Sequence, residues 1–228
     1  MNIVSWNIQW GLGCDGVSSL ARIVQTIRAM ANADAIDVIC LQEVAINHPF
    51  LAGSQGEDQV ALLGAAFPQH SAHFAVASDL ADDANGRRLF GNLLLSRPKV
   101  LQVFRHSLPR PICPVDLVEG DVPSMPRVAL EAVLAVGAGG LRVTTTHLEY
   151  YVRKQRLAQM QALRGIHHEG VQHGRTRPNL SDVDAPFRGP MRPLDSVYCG
   201  DFNCVPESAE LQLLAQAFDD GTPGLRDA

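Results

Sequence analysis

An α/β fold of the α+β kind is predicted by three features of the 228-residue sequence: β and α segments alternate over the first 67 residues, strands alone fill the middle, and helix and strand alternate again after residue 150. Residues 2–8 are a buried strand, and residues 18–30 carry Leu20, Ile23, Val24 and Ile27 at helical spacing. Residues 37–41 form a second apolar strand that ends in Gln42-Glu43. After a loop with Pro49, Gly53 and Gly56, residues 57–67 repeat the helical pattern through Val60, Leu63 and Phe67. The texture then changes to strands at 72–77, 89–96 and 100–106, with the Asp-Asp-Ala-Asn-Gly run at 82–86 turning between the first two. Residues 109–126 are a proline-rich loop. Residues 127–136 and 141–147 make a hairpin around Gly137-Ala138-Gly139-Gly140, so the middle is mainly antiparallel sheet. Residues 151–168 return to helix, with Leu157, Met160, Leu163 and Ile166 near one face, and 170–193 read as a polar loop. A buried strand at 194–199 and a helix at 208–218, opened by Pro206 and Glu207, complete the order.

With 46% hydrophobic residues and no Ser/Gly linker between Asn7 and Asn203, the expectation is one domain over residues 1–228. Cys14, Cys40, Cys113, Cys199 and Cys204 are odd in number and form no CxxC pair, so they are not a disulfide framework, and a reducing cytoplasm is expected. Cys199 and Cys204 flank Asp201 but read as small buried hydrophobes. The sequence has neither a secretory leader pattern nor an apolar run long enough for a bilayer. A net charge of −5 argues against a general nucleic-acid coat. Its distribution is uneven: residues 153–192 hold eight Arg/Lys, among them Arg153, Lys154, Arg156 and Arg164, against Glu169, Asp182 and Asp184. That segment suits either a solvated helix face or a phosphate-facing surface.

Chemistry-bearing groups stand at the ends of four apolar runs: Trp6-Asn7, Gln42-Glu43, Thr146-His147-Leu148 and Gly200-Asp201-Phe202-Asn203. Such groups are costly to bury and are usually paired or used. Glu43 alone reads as an end-of-strand acid, but with Asn7 and Asp201 on neighbouring strands it makes a hard oxygen set suited to Mg²⁺ or Mn²⁺. No zinc pattern competes with it. Asp201 and Asn203 are two residues apart, so an extended backbone points both to one side, and Gly200 leaves room for a substrate; in a turn, which Asp and Asn also favour, they would not. The carboxylate then orients or deprotonates a water while the amide stabilises charge on phosphorus-bound oxygen. His147 closes the β-branched run Val143-Thr144-Thr145-Thr146 and shares the mouth with the carboxylates, where an imidazole meets a phosphate oxygen. Asn92 is a polar break in a buried strand and reads as site-supporting.

In this order the motifs Asn2-Ile3-Val4-Ser5-Trp6-Asn7, Leu41-Gln42-Glu43-Val44, Gly91-Asn92, Thr146-His147-Leu148 and Gly200-Asp201-Phe202-Asn203 resemble the endonuclease/exonuclease/phosphatase superfamily, the DNase I-like fold. The resemblance runs to about Phe218 and implies a four-layer sandwich of two mixed sheets flanked by helices. It implies Asn7 and Glu43 for a Mg²⁺ or Mn²⁺ ion, His147 for the phosphate, and Asp201 with Asn203 for the attacking water and transition state. Arg127, Arg156 and Gln159 are secondary matches, the two arginines implied as substrate contacts. The family's late Ile-Asp-Tyr-like strand and Ser-Asp-His are not in the sequence, and no histidine follows His173. The resemblance therefore implies a C-terminally incomplete domain without its last strands, with a sheet edge open to self-association.

The expected activity is cytoplasmic, metal-dependent phosphoester hydrolysis, of diesters more than monoesters, with nucleic acid favoured by the basic segment. The alternative is a non-catalytic phosphate- or nucleic-acid-binding module of the same fold, because the second catalytic histidine is absent. Residues 105–126 lack the Asn-Gly-Tyr of the abasic-site branch, and no membrane-contact hairpin supports a lipid phosphodiesterase.

Overall fold

The computed structural model describes residues 1–30, 35–82, 86–111, 124–176 and 189–227. Its elements run β1 (Ile3–Asn7), α1 (Leu20–Met30), β2 (Val38–Ile46), α2 (Gln59–Ala66), β3 (Ser71–Asp82), β4 (Gly86–Ser96), β5 (Val100–Leu108), β6 (Arg127–Leu134), β7 (Leu141–His147), α3 (Arg153–Arg175), β8 (Ser196–Asp201) and α4 (Ala209–Ala215). The strands form two four-stranded sheets, ordered β1-β2-β4-β3 and β5-β6-β7-β8. Both are mixed, because β1 pairs with β2 and β7 with β8 in parallel while the other pairs are antiparallel.

Two-residue periodicity sorts the side chains into layers. Along β2, Val38 and Cys40 enter the core between the sheets with Leu94, Leu130, Ala132 and Val143. Ile39 and Leu41 turn the other way, onto Ile23 and Ile27 of α1 and Leu63 of α2. On the far side, Met160 and Leu163 of α3 and Leu214 of α4 cover Ala129 and Leu148. The result is helices, sheet, sheet, helices, the four-layer sandwich expected from the sequence. Leu93, Leu94 and Leu95 are all fully buried because β4 is covered on both faces, and each contributes about 1.5–3 kcal/mol. Asp58 caps α2 by accepting from the Ala61 amide at 2.9 Å, and Ser208 caps α4 by accepting from Leu211 at 3.3 Å.

Three expectations are corrected. The second strand does not stop at residue 41; β2 runs on to Ile46 through a register shift between Leu41 and Val44. The third helix does not give way to a loop at Gly170 but continues to Arg175. A β-carbon at Gly170 would overlap the guanidinium of fully buried Arg142, and one at Gly174 would lie 2.5 Å from the Arg192 carbonyl oxygen. These glycines let the helix lie close to the second sheet, and that packing outweighs their low helix propensity, about 1 kcal/mol each. Gly200, read as room for substrate, is instead filled against by β7: a β-carbon there would overlap the Thr146 carbonyl oxygen.

Part of the 82–86 turn and of the proline-rich loop lies outside the described residues, although Asp82 and Gly86 pair across that turn. Among the described residues no helix is long and apolar enough to cross a membrane.

Candidate active site

Parallel pairing places strand ends together. Asn7 lies opposite Gln42 where β1 and β2 pair, and His147 lies opposite Asp201 at the end of β7 and β8. Arg127 begins β6, which runs antiparallel to β7, so its first residue comes to the same mouth. Five sequence-predicted residues thus meet where the two sheets face each other, Asn7 and Glu43 from one sheet and Arg127, His147 and Asp201 from the other.

Asn7 joins the halves. Its Nδ2 donates to Glu43 Oε1 at 3.0 Å and to Asp201 Oδ2 at 2.9 Å, and its Oδ1 accepts from the Gln9 amide at 3.1 Å. The His147 ring stands between the same acids, Nδ1 3.7 Å from Glu43 Oε1 and Nε2 3.8 Å from Asp201 Oδ2. Arg127 Nη1 lies 3.1 Å from His147 Nδ1. A guanidinium only donates, so Nδ1 is the acceptor and the ring proton sits on Nε2, facing Asp201. Burial, helped by the Arg127 charge and opposed by Asp201, lowers the His147 pKa to about 4, so the ring is neutral at pH 7. Burial raises the pKa of Glu43, and the neighbouring Asp201 charge adds to this, while the Asn7 hydrogen bond and Arg127 pull the other way.

Glu43 has φ +60°, at the break in β2, and Asn203 has φ +50°; Gln9 and Trp10, just after Asn7, also stand at φ +47° and +44°. Left-handed backbone in non-glycine residues costs about 1–3 kcal/mol each and collects where geometry is imposed from outside. At Asn203 the turn, and not the extended backbone, is what forms. Asp201 Oδ1 accepts from the Asn203 amide at 3.0 Å, and Asn203 Nδ2 donates to the Leu148 carbonyl at 2.8 Å, so the amide ties β8 to the end of β7.

Asn92 donates to the Val128 carbonyl at 2.9 Å, pinning β4 to β6 across the sheets one residue from Arg127, and it lines a small recess with Glu43, Arg127 and His147. Arg156 is engaged elsewhere: its guanidinium donates to the carbonyls of Glu149 and Tyr150 and to Glu210 Oε1 at 3.3 Å. The other helix arginines are similarly occupied. Arg153 pairs with Glu210 at 3.1 Å, and Arg164 donates to the carbonyls of Leu213, Gln216 and Ala217 at the end of α4.

Two polar residues escaped assignment from the sequence. Glu149, fully buried, pairs with Arg127 at 3.4 Å and fixes the guanidinium that fixes the imidazole. Its signal was an acid two residues after His147, its partner twenty-two residues away. Gln42 Nε2 donates to Thr145 Oγ1 at 2.9 Å, a further bond between the sheets beside those of Asn7 and Asn92, on a side chain named only as part of a motif.

The donor set fits a small hard cation. Two carboxylates converge, one of them with its charge disfavoured by burial, and among the described residues no group of three or more His, Cys, Asp or Glu forms a ready cage. Mg²⁺ is suited to one or two carboxylates plus waters and substrate phosphate. Turning the Asn7 amide would present Oδ1 to such an ion.

Solved structures share the fold. Human nocturnin, in its catalytic domain with bound sulfate, aligns with a TM-score of 0.56 at 16% identity, over 93% of this chain and 67% of that one. A mannosyl-6-phosphatase of Bacteroides thetaiotaomicron gives 0.56 at 14%, over 92% and 68%. TDP2 of D. rerio, complexed with a single-strand DNA product, gives 0.52 at 20%, over 92% of this chain and 62% of its own length. Humanized D. rerio TDP2 is likewise spanned over only 64% of its length. No curated protein matches the sequence. The sequence pattern of the endonuclease/exonuclease/phosphatase family matches residues 4–226, nearly end to end, and the chain belongs to that family.

Proposed function

We propose that this protein hydrolyses phosphodiesters with the help of Mg²⁺ or Mn²⁺, nucleic acid being the favoured substrate class. The observation that carries the reading is the Asn7 amide shared by Glu43 and Asp201, with the neutral His147 ring between the same carboxylates. Asp201 takes the proton of a water as its oxygen bonds to phosphorus, since its partner Asn203 leaves Oδ2 facing the centre, while the ester P–O bond opposite the water breaks and the departing alkoxide takes a proton from solvent. His147 offers its Nε2 proton to a phosphate oxygen on which charge develops, and Arg127 keeps that tautomer in place. Glu43, with Asn7, holds the cation, which when bound supplies positive charge to the phosphate. Asn92 and Asn203 position β6 and β8 and through them Arg127 and Asp201. The DNA-bound relative supports a nucleic-acid substrate.

The test is hydrolysis of an oligonucleotide with Mg²⁺ by the wild type, Asp201→Ala and His147→Ala. Each substitution is expected to lower the rate roughly 100-fold or more. Undiminished turnover in either variant removes that residue from the reaction. Tight oligonucleotide binding without turnover in the wild type would establish the non-catalytic binding module in its place.

A further inference from the structure

Gln59, the first residue of α2, is fully buried, and its side-chain amide is bonded at both ends. Its Oε1 accepts from the Ala45 amide at 3.1 Å, and its Nε2 donates to the Trp10 carbonyl and to Glu57 Oε1, each at 3.0 Å. Only one orientation of the Gln59 amide satisfies all three bonds, since the Ala45 N–H needs an acceptor while a carbonyl and a carboxylate need donors. Glu57 is held in turn, its Oε2 accepting from the Gln55 amide at 2.9 Å and from Ser54 Oγ at 3.4 Å.

These bonds fall beside the two segments that carry Asn7 and Glu43. Trp10 lies three residues after Asn7, and Ala45 two residues after Glu43. Strand β1 pairs with β2 as far as Gln42, and three residues further on the Ala45 amide is taken up by Gln59. Five non-glycine residues have left-handed backbone among the described residues, and four of them, Gln9, Trp10, Glu43 and Asn47, stand within two positions of an atom bonded to Gln59. Strain of this kind persists only where surrounding bonds over-determine it. One buried amide thus ties together both strained stretches, across the same gap that the Asn7 side chain spans to reach Glu43 at 3.0 Å.

We infer that Gln59 is a positioning residue for the cation site: it fixes the spacing of the Glu43 and Asn7 segments, and with it the affinity for Mg²⁺ or Mn²⁺, without touching the ion. The inference rests on the cation reading above and deepens it. A side chain that served only the start of α2 would affect stability and leave the affinity for the ion as it was. Groups that orient ligands from behind change metal affinity about 10- to 100-fold when they are lost.

Calorimetric titration with Mn²⁺ alone, on folded protein well below its melting temperature, tests the inference. Gln59→Met keeps the length of the side chain without its polar atoms, and is expected to bind Mn²⁺ roughly 10- to 100-fold more weakly than wild type. Ser208→Ala, which removes the cap of α4, is expected to lose stability and to bind Mn²⁺ as wild type does. Unchanged affinity in Gln59→Met overturns the inference, and so does an equal loss in Ser208→Ala. Should Gln59→Met not fold, hydrogen exchange of the wild-type Ala45 amide decides. Coupling between two sites is reciprocal, so saturating Mg²⁺ is expected to slow this exchange more than that of the Leu211 amide, which Ser208 holds. Equal effects on the two amides overturn the inference. Glu43→Ala separates the inference from its basis. If that variant binds Mn²⁺ as tightly as wild type, the ion lies elsewhere and the cation reading falls together with the role of Gln59. If Glu43→Ala loses affinity and Gln59→Met does not, the cation reading stands and only the role of Gln59 is removed.

Discussion

Replacing Gly200 by alanine should be among the most damaging single changes in the protein. Gly200 stands at φ +136°, and an added β-carbon would overlap the Thr146 carbonyl oxygen and come within 2.9 Å of the Thr146 carbon and nitrogen. Those are backbone atoms of the residue paired with Gly200 between β7 and β8, so no side-chain rotation relieves the clash. The backbone conformation costs about 1–3 kcal/mol. Overpacking against the strand adds about 1–3 kcal/mol. The sum, about 2–6 kcal/mol, is large beside a total stability of roughly 5–15 kcal/mol. At about 2–4 °C per kcal/mol for a chain of this size, a mid-range cost of about 4 kcal/mol lowers Tm by about 8–16 °C. Urea unfolding followed by circular dichroism gives the measurement, with the midpoint moving and the slope unchanged. Gly137→Ala is the control: φ is +57° but nothing lies within 4 Å of the added carbon, so only about 1–2 kcal/mol is expected. Equal losses in the two variants would refute the clash with β7, and so would a Gly200→Ala midpoint matching wild type.

Glu149→Gln removes the charge facing Arg127 in a buried pair, and a stability loss of about 3–5 kcal/mol is expected together with reduced hydrolysis; unchanged hydrolysis in the folded variant would free Arg127 from any role in holding His147. Arg164→Ala removes the donors that cap α4 and the cation held 3.7 Å from the Phe218 ring, lowering stability by about 1–2 kcal/mol while leaving the salt dependence of oligonucleotide binding as it was; a shallower salt slope would make this arginine a phosphate contact. Glu43→Ala should abolish Mg²⁺ binding in calorimetric titration, and equal affinity in the variant would place the ion elsewhere. His168, and then the Thr222 amide, hold the Asp220 carboxyl well below the usual carboxylate range, so its contribution to stability is present above the ordinary value of 3.8 and is lost as pH falls through the lowered one. Asp220→Asn should therefore flatten the acid limb of the stability curve, and an unaltered limb would dissociate the pair from stability.

What the sequence discloses here is mostly what periodicity and strand ends can carry. Asn7, Glu43, His147 and Asp201 each close an apolar run; once the runs are strands, parallel pairing brings Asn7 to Glu43 in one sheet and His147 to Asp201 in the other, and the packing of sheet on sheet joins the two pairs. Glu149 is different in kind. Its identity as a buried partner depends on Arg127 across the β6–β7 pair and on Gln159 of α3, whose Oε1 accepts from the Glu149 amide at 2.9 Å, and no local pattern contains either. The sequence ends the third helix at His168 because the stretch from Gly170 is polar and rich in Gly, Pro and Arg, a local signal overridden by Arg142 packing against Gly170. The arginines of that helix stood between solvent and substrate on sequence grounds; their partners on α4, some fifty residues on, lay beyond any periodicity. Asn203 shows the limit at shortest range, since an extended and a left-handed residue have the same sequence and opposite consequences for the amide.

Asn7 and Glu43 belong to one sheet, His147 and Asp201 to the other, and the hydrogen bond from Asn7 to Asp201 spans 194 positions in the chain. The reacting geometry is therefore a property of the seam and of neither half. An intermediate with one sheet formed would hold two of the four groups and no centre. A slip of one sheet on the other by a single side chain's width would part the Asn7 amide from Asp201 while leaving every strand intact. Side chains in that seam, such as Val38, Leu94 and Leu130, thus hold the alignment of a centre they never touch. Enlarging or trimming one of them should register as lost catalysis at temperatures where the fold is still whole, so the rate of turnover becomes a ruler for the stacking of the two sheets.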